Sequence, residues 1–157
     1  KVKKGIYINN HTSLGYNWRM QEINAIMGLE QLKSLKKFIK DRKKIANIYN
    51  SKLRNNLKLQ IIRPEDVDGH NYFKYIILLK KHRREIIHKY LVNKKIYPSG
   101  YVYEIPLHLQ PVFKTKKKVN LKKTEFYCKS HICLPIFFGI TKKQINHVVN
   151  SLNQILN

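Results

Sequence analysis

Acidic residues are scarce in this chain of 157 residues: 9 Asp or Glu stand against 32 Lys or Arg, for a formal net charge of +23. Cysteine occurs only twice, and in a reducing cytosol two cysteines are expected to be structural thiols. No apolar run approaches the ~20 residues of a membrane-spanning helix, and no short apolar core follows the basic start as a signal peptide requires. We therefore expect a cytoplasmic chain that does not enter a membrane.

The chain nevertheless has enough apolar residues to fold. Hydrophobic residues make up 43% of it, and 17 residues are Tyr, Phe or Trp, which excludes a disordered tail in spite of the charge. Its length is that of one domain, since domains usually hold about 100–200 residues. The sequence opens at Lys1 and not at a methionine, so it is also compatible with a piece of a longer protein.

The positive charge has two possible origins. A strongly basic domain attracts phosphate backbones whatever its fold, which favours a nucleic-acid-binding protein. On the other hand, Lys (26), Asn (15), Ile (20) and Tyr (10) are the residues that A/T-rich codons specify. Arg, whose planar fork fits phosphates and bases better than Lys does, occurs only 6 times. A selected binding surface and codon composition both stay open as explanations.

Metal sites and the common nucleotide motifs lack support in the sequence. Cys128 and Cys133 flank His131, but a zinc site needs four ligands in two clusters, and no second pair has a suitable spacing. The sequence also contains no GxGxxG, P-loop, HExxH or GxSxG pattern, which argues against the usual phosphate cradles and hydrolytic centres. We predict no metal ligands.

A long amphipathic helix is predicted from about residue 21 to residue 55, either unbroken or broken once. Apolar residues recur there at spacings of three and four over about eight turns, with lysines between them. Gly28 falls on or near the face predicted to pack, where a missing side chain lets another backbone approach closely.

The remainder of the chain predicts strands that alternate with helices. β-branched and aromatic runs indicate strands, and apolar spacings of three and four indicate helices. The predicted elements are strands at 72–79, 101–105 and 131–136 and helices at 82–94, 121–130 and from Thr141 onward, with Thr141 as N-cap. This order predicts an α/β or α+β fold in which helices cover a small three-stranded sheet.

A known family becomes recognisable at residues 15–32, which read GYNWRMQEINAIMGLEQL. This segment resembles the signature that opens the C-terminal part of the DegT/DnrJ/StrS aminotransferases, enzymes that use pyridoxal 5'-phosphate to aminate keto-sugars attached to nucleotides. Two later blocks agree: VYEIPLHLQPVF at 102–113 resembles the family's P-L-H-x-Q-P segment, and LPIFFGITKKQINHVVNSL at 134–152 resembles its closing strand and helix. The resemblance covers nearly the whole chain.

The resemblance implies the C-terminal small domain of a fold-type I aminotransferase that depends on pyridoxal phosphate. It divides the chain into an N-terminal loop with the GYNWRM motif at 1–20, a long helix toward a large domain at 21–56, and a small α/β domain at 57–157.

The same resemblance places the catalytic groups outside this chain. Family members need a lysine that forms a Schiff base with the cofactor, an Asp for its pyridine nitrogen and a stacked aromatic ring, all in the N-terminal large domain. Lys1, Lys3 and Lys4 lie too close to the motif and lack the usual surroundings, so none is assigned this role. We expect the chain to be inactive alone, as part of a longer enzyme or as a split or truncated product that needs a partner.

Asn17 and Arg19 are the candidate cofactor-binding residues. They precede a predicted helix, whose free N–H groups and positive dipole end favour an anion, and their amide and guanidinium add donors for phosphate oxygens. The resemblance implies that Asn17 reaches the cofactor phosphate of the other subunit in a homodimer with shared active sites. The alternative is that both side chains cap the helix and fix the preceding loop.

His108, Tyr101 and Tyr103 are the candidate substrate-binding residues. Pro106 and Pro111 bracket His108 and stiffen the backbone that carries its imidazole. The resemblance places this segment on the substrate side of the cleft, where it contacts the nucleotide-sugar. A histidine bonded to the protein's own backbone is the alternative.

The function implied by the resemblance is transfer of an amino group, usually from glutamate, to a nucleotide-linked keto-sugar for surface polysaccharide or glycan synthesis. Dehydration with the same cofactor and a decayed enzyme kept for interactions are alternatives. A further alternative is a basic domain that binds nucleic acid or another polyanion through lysines of the long helix, although a solvated helix face explains them equally well. These lysines are Lys33, Lys36, Lys37, Lys40, Lys43 and Lys44.

Overall fold

The computed structural model describes residues 16–81, 84–111 and 119–156. Residues 1–15, which hold Lys1, Lys3, Lys4 and most of the predicted N-terminal loop, lie outside the described residues. The chain divides into two compact units, Lys1–Ser34 and Leu35–Asn157.

The first element, α1, is one unbroken helix, Glu22–Leu53, and confirms the long helix predicted from the apolar spacing. The elements that follow are β1 (Leu59–Ile61), β2 (Tyr75–Leu79), α2 (Arg84–Asn93), a 3₁₀ turn (Leu107–Leu109), α3 (Lys122–Ser130), β3 (His131–Leu134) and α4 (Lys142–Leu156). Helices combined with one small sheet confirm the α+β class.

The sheet has three antiparallel strands in the order β1, β2, β3, so β2 is central. Leu59 of β1 pairs with Leu79, and Leu134 of β3 pairs with Tyr75. All five residues of β2 are buried or partly buried, as expected for a central strand with side chains packed on both faces.

Two details of the strand prediction are wrong. β1 was not expected, because a three-residue Leu-Gln-Ile segment is too short to show a periodic pattern. The segment 101–105 is irregular and not a strand, because the N–H of Val102 donates to the side chain of His131 (2.9 Å) and not to a strand carbonyl. The alternation of Tyr101 and Tyr103 therefore has a different cause, which the site geometry explains.

The outer edge of β3 is occupied by the chain that follows α2. Ser99 N donates to the carbonyl of Cys133 (2.9 Å), and its Oγ donates to the carbonyl of Leu134 (3.3 Å). The bond from Ser99 N uses a backbone carbonyl that an edge strand otherwise presents to solvent, whereas the N–H of Val102 bonds to the side chain of His131.

The apolar core lies between one face of the sheet and the helices. Tyr75, Ile77 and Leu79 alternate along β2 and belong to a single buried cluster with residues from the helices. The helices contribute Ile45, Tyr49, Leu53, Ile87, Leu91, Ile145, Val149 and Leu152. The core is therefore built by α1, α2 and α4 on one face of the sheet.

Tyr49 fixes the C-terminal part of α1 to this core. Its ring is fully buried and its centroid lies 4.9 Å from that of Tyr75, and its hydroxyl donates to the carbonyl of Pro135 (2.9 Å). Burial raises the pKa of the Tyr49 phenol well above its ordinary value, so the hydroxyl stays protonated and remains a donor.

α4 begins with a capping box. The N–H of Gln144 donates to Oγ1 of Thr141 (3.2 Å), and the N–H of Thr141 donates to Oε1 of Gln144 (2.9 Å). This reciprocal pair satisfies two backbone donors at the helix start. The prediction of Thr141 as N-cap is confirmed.

The N-terminal part of α1 differs from the C-terminal part, because its large apolar side chains are exposed. They are Ile23, Ile26, Met27, Leu29 and Leu32. An added Cβ at Gly28 meets no atom of the described structure within 4 Å, so the prediction that Gly28 lies on a packed face is wrong for the described chain. In the part of the chain that the structure describes, no helix combines the length and apolarity needed to cross a bilayer.

We expect Tyr49→Phe to lower the free energy of unfolding by about 1–2 kcal/mol, because it keeps the ring but leaves the buried carbonyl of Pro135 without its donor. Urea denaturation measures this. The matched control is Tyr90→Phe, whose lost hydroxyl donates at the surface to Gln154 (2.8 Å) and is expected to cost less than ~0.5 kcal/mol. Equal losses in the two variants contradict the role given to Tyr49.

Candidate functional site

Asn17 and Arg19 lie in the irregular segment just before α1. Both residues are exposed, and the N–H of Arg19 donates to the carbonyl of Asn17 (3.1 Å) in a tight turn. Neither side chain makes a hydrogen bond to another described residue, so nothing in that part of the chain supports the alternative that they cap the helix. Relative to the described structure, the amide and the guanidinium are two donors that face solvent.

The residues interleaved with them, Tyr16 and Trp18, are aromatic and stack on each other. Their ring centroids are 5.3 Å apart with an interplanar angle of 23°, and their exposed fractions are 83% and 85%. The stacked rings therefore remain largely exposed to solvent. The motif therefore presents a pair of anion donors beside an exposed aromatic pair.

His108 pairs with an acidic side chain and not with the protein's own backbone. Its Nε2 lies 3.2 Å from Oε1 of Glu125 in α3, and both side chains are largely shielded, at 12% and 28% exposed. Because a carboxylate accepts, this geometry places a hydrogen on Nε2 and leaves Nδ1 as an acceptor in the neutral ring. A carboxylate that orients an imidazole in this way fixes its tautomer.

Tyr101 lies on the guanidinium of Arg84. The Cζ of Arg84 is 4.0 Å from the ring centroid of Tyr101, and the same side chain donates through Nη1 to the carbonyl of Cys128. Burial raises the pKa of the Tyr101 phenol above its ordinary value, and the positive charge of Arg84 opposes that rise. Tyr101 is thus held in the protein by a cation–π contact.

Tyr103 lines an apolar cleft of about 400 Å³ on the second face of the sheet. Its ring is 70% exposed. The cleft is lined by Ile62, Ile76, Leu78, Val102, Tyr103, Tyr127, Cys128 and His131. A concave apolar surface with a few polar groups at its border has the general form of a ligand site.

The three predicted substrate residues therefore do not converge on one point. Tyr103 lines the cleft, whereas Tyr101 and His108 do not. His108 nevertheless contacts α3 through Glu125, and Tyr103 lines the cleft together with Tyr127 and Cys128 of α3. Tyr101 is linked to α3 only through Arg84, which donates to the carbonyl of Cys128. The alternation at 101–105 thus reflects one tyrosine held on Arg84 and another on the cleft, and not strand pairing.

His131 has both ring nitrogens engaged by backbone. Nδ1 lies 2.8 Å from the carbonyl of Tyr127, and Nε2 accepts from the N–H of Val102, so the bonds assign the neutral tautomer with hydrogen on Nδ1. Burial lowers the pKa of the imidazole; the charge of Arg84 lowers it further, while the bond to Tyr127 opposes the change. His131 is a structural residue of the cleft wall.

Arg84 and Glu125 are the residues that sequence analysis missed. Arg84 is only 6% exposed, and Glu125 became apparent only because the fold brings it to His108. For Arg84 a weak signal existed: arginine is rare in this lysine-rich chain and suits stacked or forked contacts better than lysine does, although exposed arginines such as Arg54 and Arg63 share the same signal.

The lysines of α1 that suggested a polyanion-binding face are mostly paired within the protein. Among the described residues, four of the six have a partner: Lys33 with Glu30, Lys44 with Asp41, Lys43 with the carbonyl of Asp68, and Lys37 with the ring of Phe138. Such exposed pairs contribute little stability. They do show that α1 is not an uninterrupted row of unpaired cations.

The family model described as "DegT/DnrJ/EryC1/StrS aminotransferase family" matches residues 2–153. The chain belongs to this family. Helicobacter pylori PseC, an aminotransferase involved in the biosynthesis of pseudoaminic acid, has the same fold: its TM-score is 0.81 at 22% identity, over 99% of this chain and 42% of that chain. The fold is that of the small domain of such an aminotransferase.

Curated relatives agree with this membership. The pleiotropic regulatory protein of Geobacillus stearothermophilus is 28% identical over 144 residues, which are 90% of this chain and 38% of the relative. The dTDP-4-amino-4,6-dideoxy-D-glucose transaminase of Shigella dysenteriae is 24% identical over an alignment of 160 positions that covers 99% of this chain and 44% of the relative. This family member therefore spans about two fifths of the length of these relatives.

We expect the pKa shift of His131 to make stability depend on pH. The unfolded histidine takes up a proton near pH ~6.5, whereas the native one does so only at lower pH. Between those values the unfolded state binds more protons, so the free energy of unfolding falls as pH falls below ~6.5. Urea denaturation at pH 7.5 and 5.5 is expected to show a smaller difference for His131→Gln than for the unchanged protein.

The control for this experiment is His147→Gln, which removes an exposed histidine whose Nε2 lies 2.9 Å from the carbonyl of Lys94. If the pH dependence of His131→Gln equals that of the unchanged protein, His131 does not carry the effect.

Proposed function

We propose that this chain is the C-terminal part of an enzyme that uses pyridoxal 5'-phosphate to transfer an amino group from glutamate to a nucleotide-linked keto-sugar for surface polysaccharide or glycan synthesis. The observation that carries the proposal is the family match over nearly the whole chain, residues 2–153. In this proposal the chain acts in a homodimer, and the polypeptide that it does not span supplies the remaining catalytic groups.

The cofactor, when bound, supplies the electron sink that amino transfer requires. The residues of this chain fit one part of it, the phosphate. The side chains of Asn17 and Arg19 are exposed and unbonded relative to the described chain, and an amide with a guanidinium makes charge-assisted bonds to phosphate oxygens. We infer that these two residues hold the phosphate of a cofactor carried by the other subunit.

His108 and Tyr103 are the proposed contacts to the nucleotide-sugar. With Nε2 directed to Glu125, Nδ1 of His108 is the ring atom left to accept from a sugar hydroxyl. Tyr103 presents an exposed ring and hydroxyl at the apolar cleft. Tyr101, by contrast, is engaged by Arg84, so its proposed part is to position the segment that carries Tyr103.

The proposed activity is tested on the native protein, isolated from its source through a chromosomal affinity tag. We expect glutamate and a nucleotide-linked keto-sugar, offered in dTDP, UDP and GDP forms, to give an amino-sugar and 2-oxoglutarate, detected by mass spectrometry. Loss of oxygen from the sugar without gain of nitrogen indicates dehydration. If neither product forms and the protein binds no cofactor, the proposal is contradicted.

We expect Asn17→Ala to weaken cofactor retention by roughly tenfold or more, because it removes one charge-assisted bond to the phosphate. The measurement is the dissociation constant of pyridoxal phosphate in the native protein, from its absorbance during dialysis. Asn150→Ala, at an exposed position of α4, is the matched control and is expected to retain cofactor normally. Unchanged affinity in Asn17→Ala, with thermal stability also unchanged, removes Asn17 from this role.

A further inference from the structure

The short 3₁₀ turn Leu107–Leu109 is oriented against the usual preference of its side chains. Leu107 and Leu109 are 71% and 45% exposed, whereas the imidazole of His108 between them is only 12% exposed. Exposed leucines are common, but a shielded polar side chain is informative, because its burial costs free energy unless it is hydrogen-bonded. The turn directs its polar residue toward the protein, so a polar partner is needed to explain its orientation.

Glu125 of α3 is that partner. Its Oε1 lies 3.2 Å from Nε2 of His108. The hydrogen bonds that Leu109 and Gln110 donate are accepted within residues 105–107 and do not leave the segment. Among the described residues, the pair of His108 and Glu125 is therefore the polar contact that joins this turn to another element.

The helix that carries Glu125 is held in place by other bonds. The carbonyl of Tyr127 in α3 lies 2.8 Å from Nδ1 of His131, and Nε2 of that ring accepts from the N–H of Val102. These contacts connect α3 to the start of the segment that leads to the turn. Loss of the carboxylate of Glu125 is therefore expected to free His108 while α3 keeps its position.

The pair also determines what the imidazole offers to a ligand. A carboxylate accepts, so Nε2 of His108 carries the hydrogen and Nδ1 of the neutral ring keeps a lone pair. The formal net charge of +23 opposes a further cation on this ring. A lone pair attracts hydroxyl and amide donors and repels the oxygens of a diphosphate. The ring is therefore suited to the sugar part of a nucleotide-sugar and not to its phosphates.

We propose that Glu125 is a positioning residue for the nucleotide-sugar: it turns His108 toward α3, holds the hydrogen on Nε2 and so makes Nδ1 the acceptor for a sugar hydroxyl. The contact with the sugar rests on the proposed function, because that substrate comes to this chain only through it. The positioning rests on the distance, the shielding and the orientation of the turn. Glu125 acts through His108 and does not itself touch the substrate.

The positioning is tested without activity, by magic-angle-spinning NMR at pH 7.5 of the native protein recovered through a chromosomal tag and labelled with ¹³C and ¹⁵N in histidine. The signals of His108 are those that disappear in His108→Asn. We expect hydrogen on Nε2 alone in the unchanged protein. In Glu125→Ala we expect an intermediate shift for each ring nitrogen, because the two neutral tautomers then exchange. Glu65→Ala removes a carboxylate at an exposed position and, as the matched control, is expected to keep the single tautomer.

Two results of this measurement overturn the proposal. Hydrogen on Nδ1, or on both nitrogens, in the unchanged protein removes the acceptor role of His108. A single unchanged tautomer in Glu125→Ala removes the role of Glu125. If Glu125→Ala does not fold, Glu125→Gln replaces it; its amide donates as well as accepts, so the single tautomer is again expected to be lost.

The contact with the sugar is tested by equilibrium dialysis of the native protein with a nucleotide-linked keto-sugar in dTDP, UDP and GDP forms. We expect Glu125→Ala and His108→Ala each to weaken binding roughly tenfold. The double variant is expected to bind as His108→Ala does, because one residue acts through the other. The free nucleotides, which lack the sugar, are expected to bind equally to all variants. A further loss in the double variant, or an equal loss for the free nucleotides, contradicts the proposal.

The two measurements separate this proposal from the proposed function. If the tautomer changes in Glu125→Ala but the protein binds none of these sugars, the positioning of His108 stands and the proposed function fails. If the sugar binds equally with and without the carboxylate of Glu125, the proposed function stands and Glu125 has no part in it.

Discussion

The hydrogen bond from the buried hydroxyl of Tyr49 to the carbonyl of Pro135 joins two parts of the Leu35–Asn157 unit that are 86 residues apart in sequence. On one side it holds the C-terminal part of α1, and on the other the segment that leaves β3. The ring contact with Tyr75 adds the central strand to the same point. The positions of β3, and through it of the cleft wall at His131, therefore depend on a polar contact inside an otherwise apolar core, where bonds are stronger and unpaired groups more costly than in water.

Much of this fold was predictable because its helices are long and periodic. The pattern of buried and exposed side chains in α4 and in the C-terminal part of α1 follows directly from the spacing of apolar residues. The threonine at position 141 predicts the N-cap of α4. Strands of only a few residues are too short to be predicted from the alternation of apolar and polar side chains. β1 has only three residues. Tyr101 and Tyr103 alternate because one lies on Arg84 and the other lines the cleft, and not because they pair in a sheet. Spacing also could not distinguish the half of α1 that packs in this chain from the half that is exposed, because both are rich in leucine and isoleucine.

The candidate site was less predictable than the fold, because its pairs are distant in sequence. His108 and Glu125 are 17 residues apart, and Arg84 and Cys128 are 44 residues apart. No local pattern indicates such contacts. What the sequence did contain was a contrast between arginine and lysine. Arginine is the scarcer cation in this chain, and its planar guanidinium can stack and donate in ways that lysine cannot. Arg84 meets that description, since its guanidinium both stacks and donates.

The contacts along β3 have a further consequence for how copies of this protein behave at high concentration. A free strand edge is a template on which another chain can add, and this is a common start of fibril growth. On the outer side of β3, Ser99 already occupies the carbonyl of Cys133 that an incoming strand would use. Extension of the sheet from that side requires the loop to detach first, so this segment protects the β3 edge from pairing with another chain.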